Sequence, residues 1–192
     1  MPLKTLLVKG DPERSQLLRQ SLLDSGHAVV GEAGTEENLL RRVEETAPDL
    51  LLIDSDSPDD ALLSQLQELA VHRPIPVVLF TEADSRDMIS RAVRAGVSAY
   101  IVDGLDQHRL GTILKVAVAR FHETGKLRQE LQETKASLVE RKAVERAKGI
   151  LMKQRGFDEP EAYHALRKMA MDKNLRIGQV AENVIAVSEL LN

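Results

Sequence analysis

The side chains that could do chemistry in this chain fall into two groups. The first is a basic block. Residues 141–176 hold ten Lys and Arg against five Asp and Glu, whereas residues 1–140 hold sixteen against twenty-three. A basic block inside a protein of formal net charge −4 points to an anionic partner for that block. Within it Val144, Ala147, Ile150 and Leu151 recur at helical spacing, and Arg141, Lys142, Arg146 and Lys148 occupy the rest of the same helix. The second group closes short apolar runs. Leu50-Leu51-Leu52-Ile53 ends in Asp54, and Val77-Val78-Leu79-Phe80 ends in Thr81.

Other chemistries are argued against by composition. There are no cysteines, so disulfides and thiolate chemistry are excluded. His27, His72, His108, His122 and His164 are scattered, with no i, i+4 pair of the kind a metal site uses, and His164 beside Tyr163 reads as a surface residue. No phosphate-binding or dinucleotide glycine pattern occurs. The expectation is a protein that is not an enzyme and needs no cofactor or metal. Aromatics make up 3%, which speaks against a sheet that stacks several bases. No apolar run is long enough to span a bilayer and the N-terminus lacks a secretory pattern, so the expected location is the cytoplasm.

The elements that must position these side chains alternate over residues 1–105. Strand patterns at Leu3–Val8, Ala28–Glu32, Leu50–Asp54, Pro76–Phe80 and Ala99–Val102 are separated by helical patterns at Pro12–Ser25, Thr35–Thr46, Asp60–His72 and Ser85–Ala95. In the first helix Leu17, Leu18, Leu22 and Leu23 are placed on the buried side. Near-continuous apolar strands imply a parallel sheet covered on both faces, and five βα units give a doubly wound α/β fold. Active sites in such sheets lie beyond the carboxyl ends of the strands, where Asp54, Thr81 and the loops after Val8 and Val102 would meet.

From Gln107 one helix runs a long way, because no proline falls between Pro76 and Pro160. Leu110, Leu114, Ala117, Phe121 and Thr124 keep a heptad step, as do Leu127, Leu131, Thr134 and Leu138 after a slip at Gly125. Residues 107–121 suit packing on the preceding domain. Residues 127–138 suit a parallel coiled coil, hence a homodimer. Three helices then form a small all-α unit. Gly156 stops the first, Asp158 and Glu161 cap the second, Asn174 ends it, and the third carries Ile177, Val180, Ala181, Val184, Ile185 and Leu191. Gly149 is costly inside a helix and suits close approach of another helix or of RNA.

The last unit resembles the ANTAR domain, the RNA-binding module of AmiR- and NasR-type transcription antiterminators, through ERKAVERAKGILM followed by DEPEAYHALRKMAM. The resemblance makes RNA hairpin loops in leader transcripts the anionic partner, bound so that an overlapping terminator cannot form. It implies Lys142, Arg146, Lys148, Lys153, Arg167 and Lys168 at phosphates, and Tyr163 or an arginine plane stacking on an unpaired base, the other reading of Tyr163 being a core residue. Residues 1–120 resemble a two-component receiver domain, residues 121–138 form the coiled-coil linker, and residues 139–192 the ANTAR domain. In the receiver resemblance Asp54 matches the phosphoacceptor, Thr81 the switch hydroxyl and Tyr100 the aromatic before the last strand. The stretches DSPDD, AGVSAYIVDGL and RLGTILKVAVARF resemble the NasT-like branch, which implies nitrate or nitrite response and a ligand-sensing regulatory protein as partner.

Two positions depart from the receiver pattern. The acidic pair after the first strand reads Lys9-Gly10, with Asp11 one place later, and the Lys-Pro after the fifth strand reads Asp103-Gly104. Magnesium needs carboxylate oxygens in near-octahedral geometry, which Lys9 cannot supply. Lys9 is expected to pair with Asp54 in the place of the metal, and Asp103 to repel an acyl phosphate. An alignment shifted by one residue puts Asp11 in the metal site. The expectation is a degenerate receiver controlled by a partner protein. The rival readings are a phosphorylation-dependent DNA-binding response regulator and a protein-interaction module that binds no nucleic acid.

Overall fold

A computed structural model of the protein describes residues 2–102 and 107–190. The described residues form two compact units, divided between Gly125 and Lys126. In the first, strands β1 (Lys4–Lys9), β2 (Ala28–Gly34), β3 (Leu50–Asp54), β4 (Val77–Thr81) and β5 (Ala99–Val102) make one parallel sheet in the order β2-β1-β3-β4-β5. Helices α1 (Pro12–Asp24), α2 (Leu39–Thr46), α3 (Asp60–His72) and α4 (Arg86–Arg94) connect them. The strand order reverses between β1 and β3, so their carboxyl ends open a crevice at that point.

Alternation along each strand builds two cores. Leu6, Val8, Leu51, Ile53 and Leu79 pack with Leu39, Val43, Leu62, Leu66 and Ala92 of α2, α3 and α4. Leu7, Leu50, Leu52, Val78 and Phe80 pack on the other face with Leu18 and Leu22 of α1 and Leu110, Leu114 and Ala117 of the long helix α5 (Gln107–Arg155). The expected apolar side of α1 is corrected here. Leu18 and Leu22 are buried, but Leu17 and Leu23 are exposed, and Ser15 and Ser21 take the buried places. A 3.6-residue helix cannot turn four such leucines inward on one narrow stripe. Helix α2 begins at Leu39, later than its pattern, because Asn38 caps it by accepting from the Arg41 amide at 2.9 Å.

Helix α5 carries the heptad steps, and they divide. Leu110, Leu114 and Ala117 are fully buried in the first unit. Leu127, Leu131 and Leu138 are 56%, 53% and 54% exposed. A continuous α-helix passes the slip at Gly125.

The second unit packs Val144 and Ala147 of α5 against Leu166 and Ala170 of α6 (Glu159–Lys173) and Val180 and Ala181 of α7 (Ile177–Leu190). Helix α6 starts with the capping box at Asp158 and Glu161 and stops at Asn174, whose φ of 52° is left-handed. The start of α7 is capped from α5. The Glu140 carboxylate accepts from the Gly178 amide at 3.2 Å, and a Cβ at position 178 would come within 2.6 Å of the Glu140 side chain. Gly149 has nothing within 4 Å of where its Cβ would be, so its glycine is not required by packing within the unit. Leu191 and Asp103, both singled out in the sequence, lie outside the described residues.

Candidate functional site

In the first unit Asp54 ends β3 with its side chain fully buried. Its neighbours come from the first turn of α1. Asp11 caps that helix by accepting from the Arg14 amide at 2.8 Å, and Pro12 fits its first turn. The cap fixes the direction of the next side chains. Ser15 donates its hydroxyl to Asp54 Oδ2 at 2.8 Å, and the Arg14 guanidinium donates Nε–H to Asp54 Oδ1. The other two nitrogens of Arg14 meet Asp56 through Nη2 and Glu82 through Nη1, the latter at 3.4 Å. One guanidinium therefore faces three carboxylates. Burial opposes its charge, but hydrogen bonds to Asp56 and Asp54 outweigh that and hold its pKa above the ordinary value.

One sequence expectation is corrected by this arrangement. Lys9 does not reach Asp54. Its ammonium pairs with Glu32 at 2.9 Å, and Glu32 also pairs with Arg19 at 3.2 Å, so Lys9 belongs to a surface network. Asp11 uses a carboxylate oxygen to cap α1. The cation is Arg14, five residues beyond Lys9, and it gathers Asp56 and Glu82 as well. Their signal in the sequence was weak: Asp56 and Glu82 follow strand ends, and Arg14 sits one turn into the helix that starts at the same crevice.

Gly10 adds a steric block. A Cβ there would lie 2.4 Å from the Asp54 carbonyl oxygen and 3.0 Å from its carbon, both backbone atoms that cannot swing away. The backbones after β1 and at the end of β3 thus approach too closely for a side chain at position 10 without a shift. Thr81 is buried, donates to the Asp56 carbonyl at 2.9 Å and accepts from the Ala83 amide at 3.1 Å. Tyr100 donates to the Ala83 carbonyl at 2.7 Å, and burial raises its pKa. Both side chains fasten the loop after β4.

In the second unit the basic block separates into paired and free cations. Lys148 was expected at RNA phosphates. It is buried instead, with its ammonium 2.9 Å from Glu145 and 2.7 Å from Glu159 of α6. Hydrogen bonds to Glu159 and Glu145 raise the Lys148 pKa, and the same contact lowers that of Glu159. The Glu159 share of stability is present above the ordinary carboxylate range and lost as pH falls through its lowered pKa. The Lys148 share is present at neutral pH and lost as pH rises through its raised pKa. Arg146 is exposed but bridges to Glu189 at 2.6 Å. Lys142, Lys153, Arg167 and Lys168 are exposed and have no acidic partner among the described residues. Tyr163 is 46% exposed on α6, four residues before Arg167.

Comparison with known proteins agrees with this division. A family model for the response regulator receiver domain matches residues 5–115, and one for the ANTAR domain matches residues 132–185. The transcriptional regulatory protein PdtaR of Mycobacterium tuberculosis is 32% identical over 185 residues, covering 96% of this chain and 90% of that protein. The nitrate regulatory protein of Klebsiella oxytoca is 41% identical over 78 residues, 41% of this chain and 20% of that protein. The aliphatic amidase regulator of Pseudomonas aeruginosa is 27% identical over 109 residues, 57% of this chain and 56% of that protein. Among solved structures, the signal receiver domain of a modulated diguanylate cyclase from Desulfovibrio desulfuricans is similar in fold at a TM-score of 0.55 and 20% identity, spanning 65% of this chain and 99% of that one.

The Arg14 cluster predicts a specific stability pattern. Arg14→Met leaves the Asp54 carboxylate buried with Ser15 alone and should cost about 3–5 kcal/mol at neutral pH. Adding Asp54→Asn to that variant should recover much of the loss. Urea unfolding of the two variants checks this, and a neutral Arg14→Met would contradict the assignment of Arg14 as counter-charge.

Proposed function

We propose a function from one premise: the chain belongs to the ANTAR family of response regulators. On that premise the second unit binds RNA hairpin loops in leader transcripts. Binding keeps an overlapping terminator hairpin from forming, so the protein is a transcription antiterminator. The observation that carries this reading is the set of exposed, unpaired cations Lys142, Lys153, Arg167 and Lys168, with Tyr163 on the same short helical unit. Cations supply affinity for the RNA backbone, and a tyrosine ring offers a face to an unpaired base. Arg146 contributes once its exposed bridge to Glu189 opens, since surface pairs hold by about 1 kcal/mol or less.

The coiled-coil segment makes the protein a homodimer. Leu127, Leu131 and Leu138 are a narrow apolar stripe with no cover from the described residues of this chain. A second copy supplies that cover by knobs-into-holes packing. Two RNA-binding units linked in this way suit paired hairpins, because linkage raises the effective concentration of the second site.

Control comes through a partner protein. The crevice at Asp54 already holds a guanidinium, and Gly10 leaves no space for a second acid, so ordinary phosphotransfer lacks its metal site. A ligand-sensing protein holds the RNA-binding unit in an inactive complex, and its ligand shifts the balance between bound and released states. The similarity to the nitrate regulatory protein of Klebsiella oxytoca supports nitrate or nitrite as the signal.

Binding of the pure protein to a hairpin RNA and to duplex DNA across a salt series tests the central claim. Hairpin RNA should be preferred, and Lys168→Ala should weaken it and reduce the salt slope by about 0.7–0.9. Equal binding to DNA would revive the DNA-binding alternative. In sedimentation, Leu131→Glu should convert a dimer to a monomer with the fold intact; an unchanged mass would remove the coiled coil from the account. For control, a small-molecule phosphodonor with Mg²⁺ should yield no stable phosphoprotein, and a pull-down with and without nitrate should recover a ligand-sensitive partner. A stoichiometric phosphoryl group on Asp54 would reverse that conclusion.

A further inference from the structure

Beside the turn between α6 and α7 lies an open, shallow concavity of about 530 Å³. Arg167 and Met171 line it from α6, Asn174, Leu175 and Arg176 from the turn, and Gln179 from α7. Its chemistry is mixed. Arg167 and Arg176 have no acidic partner among the described residues, unlike Arg146 and Lys148. Met171 is 73% exposed and Leu175 is 37% exposed, so two large apolar side chains stand in solvent beside two guanidiniums. Local hydrogen bonds define the turn. Asn174 holds left-handed backbone, the Leu175 amide donates to the Ala170 carbonyl at 2.9 Å, and the Arg176 amide donates to Gln179 Oε1 at 3.1 Å. That last bond turns the Gln179 amide group so that its oxygen is used and its NH₂ remains to donate.

We propose that this cleft takes one unpaired nucleobase of the bound RNA, an inference that rests on the RNA-binding reading above. A phosphate would use the two guanidiniums but gain nothing from Met171 and Leu175. A base uses both. Its flat face lies on apolar side chains or a guanidinium plane, and its edge meets donors from Arg176, Gln179 and Asn174. A volume of this size is within the range of small-ligand clefts. Arg176 thereby becomes a specificity residue, whereas Lys168 and Lys142 act on the backbone of any RNA.

The test uses the full chain and hairpin RNAs with a fixed stem and a randomised loop, from which the tightest binder is taken. Each loop nucleotide of that hairpin is then replaced in turn by an abasic one. Met171→Ala and Arg176→Ala change exposed side chains, and circular dichroism confirms that both fold. One abasic position should cost the wild-type protein about tenfold or more in affinity and cost either variant little further. Met171→Ala should leave the salt slope unchanged, because it removes no charge. Abasic penalties that persist undiminished in both variants overturn the cleft while leaving RNA binding in place. So does a loss confined to Arg176→Ala and expressed only in the salt slope, which marks a phosphate contact. A wild-type protein that prefers no hairpin over duplex DNA overturns the RNA reading and the cleft with it.

Discussion

A carboxylate with no exposed surface must have a counter-charge, and the crevice of the first unit is organised by that requirement. Asp54 is buried at the end of the central strand, where desolvation alone would be prohibitive for its ionised form. This chain meets the requirement with Arg14, which is covalently attached and cannot leave. The fork of the guanidinium suits the task because it offers separate donors to Asp54, Asp56 and Glu82. The remaining parts of the crevice follow from a resident cation. Gly10 lets the β1 backbone close onto β3, and Thr81 spends its hydroxyl on the Asp56 carbonyl rather than on an incoming group.

The second unit solves a different problem with the same currency of charge. Its core is small, drawn from a few aliphatic side chains on three helices. Lys148 supplements that core by tying α5 to Glu159 at the start of α6, and Glu140 supplements it by capping α7. Counting cations along the sequence therefore overstates the surface available to an anion. The paired ones hold the helices, and the unpaired ones remain for a partner. Geometry makes this division, because a lysine at the α5–α6 contact cannot serve both roles at once.

The fold was readable because its signals are local and mutually consistent: apolar runs bounded by caps, glycine stops, and a capping box at Asp158 and Glu161 that forms as written. Alternation between apolar runs and helical periods was enough to place five strands in a doubly wound parallel sheet. The crevice was readable only in part. Asp54 and Thr81 could be placed by their positions at strand ends, and Tyr100 by the receiver resemblance. Lys9 was the wrong cation because a residue that follows a strand and a residue one helical turn later compete for the same crevice, and only the backbone direction set by the Asp11 cap decides between them. Lys148 misled for a similar reason. Helical spacing puts it beside the basic face, but its neighbour across the bundle is Glu159, eleven positions away in the chain.

Helix α5 shows why equal spacing need not mean equal fate. Leu114 and Leu131 occupy the same kind of heptad position, yet one is fully buried and the other half exposed. The difference is supplied by what lies opposite: the sheet of the first unit covers Leu110, Leu114 and Ala117, and the described residues of the chain offer no cover to Leu127, Leu131 and Leu138. Leaving three leucines in water costs free energy that a second copy of the stripe would return, at about 25 cal/mol for each Å² it covers. The same helix then gives Val144 and Ala147 to the core of the second unit. One uninterrupted element thus contributes to two cores and exposes an apolar stripe between them.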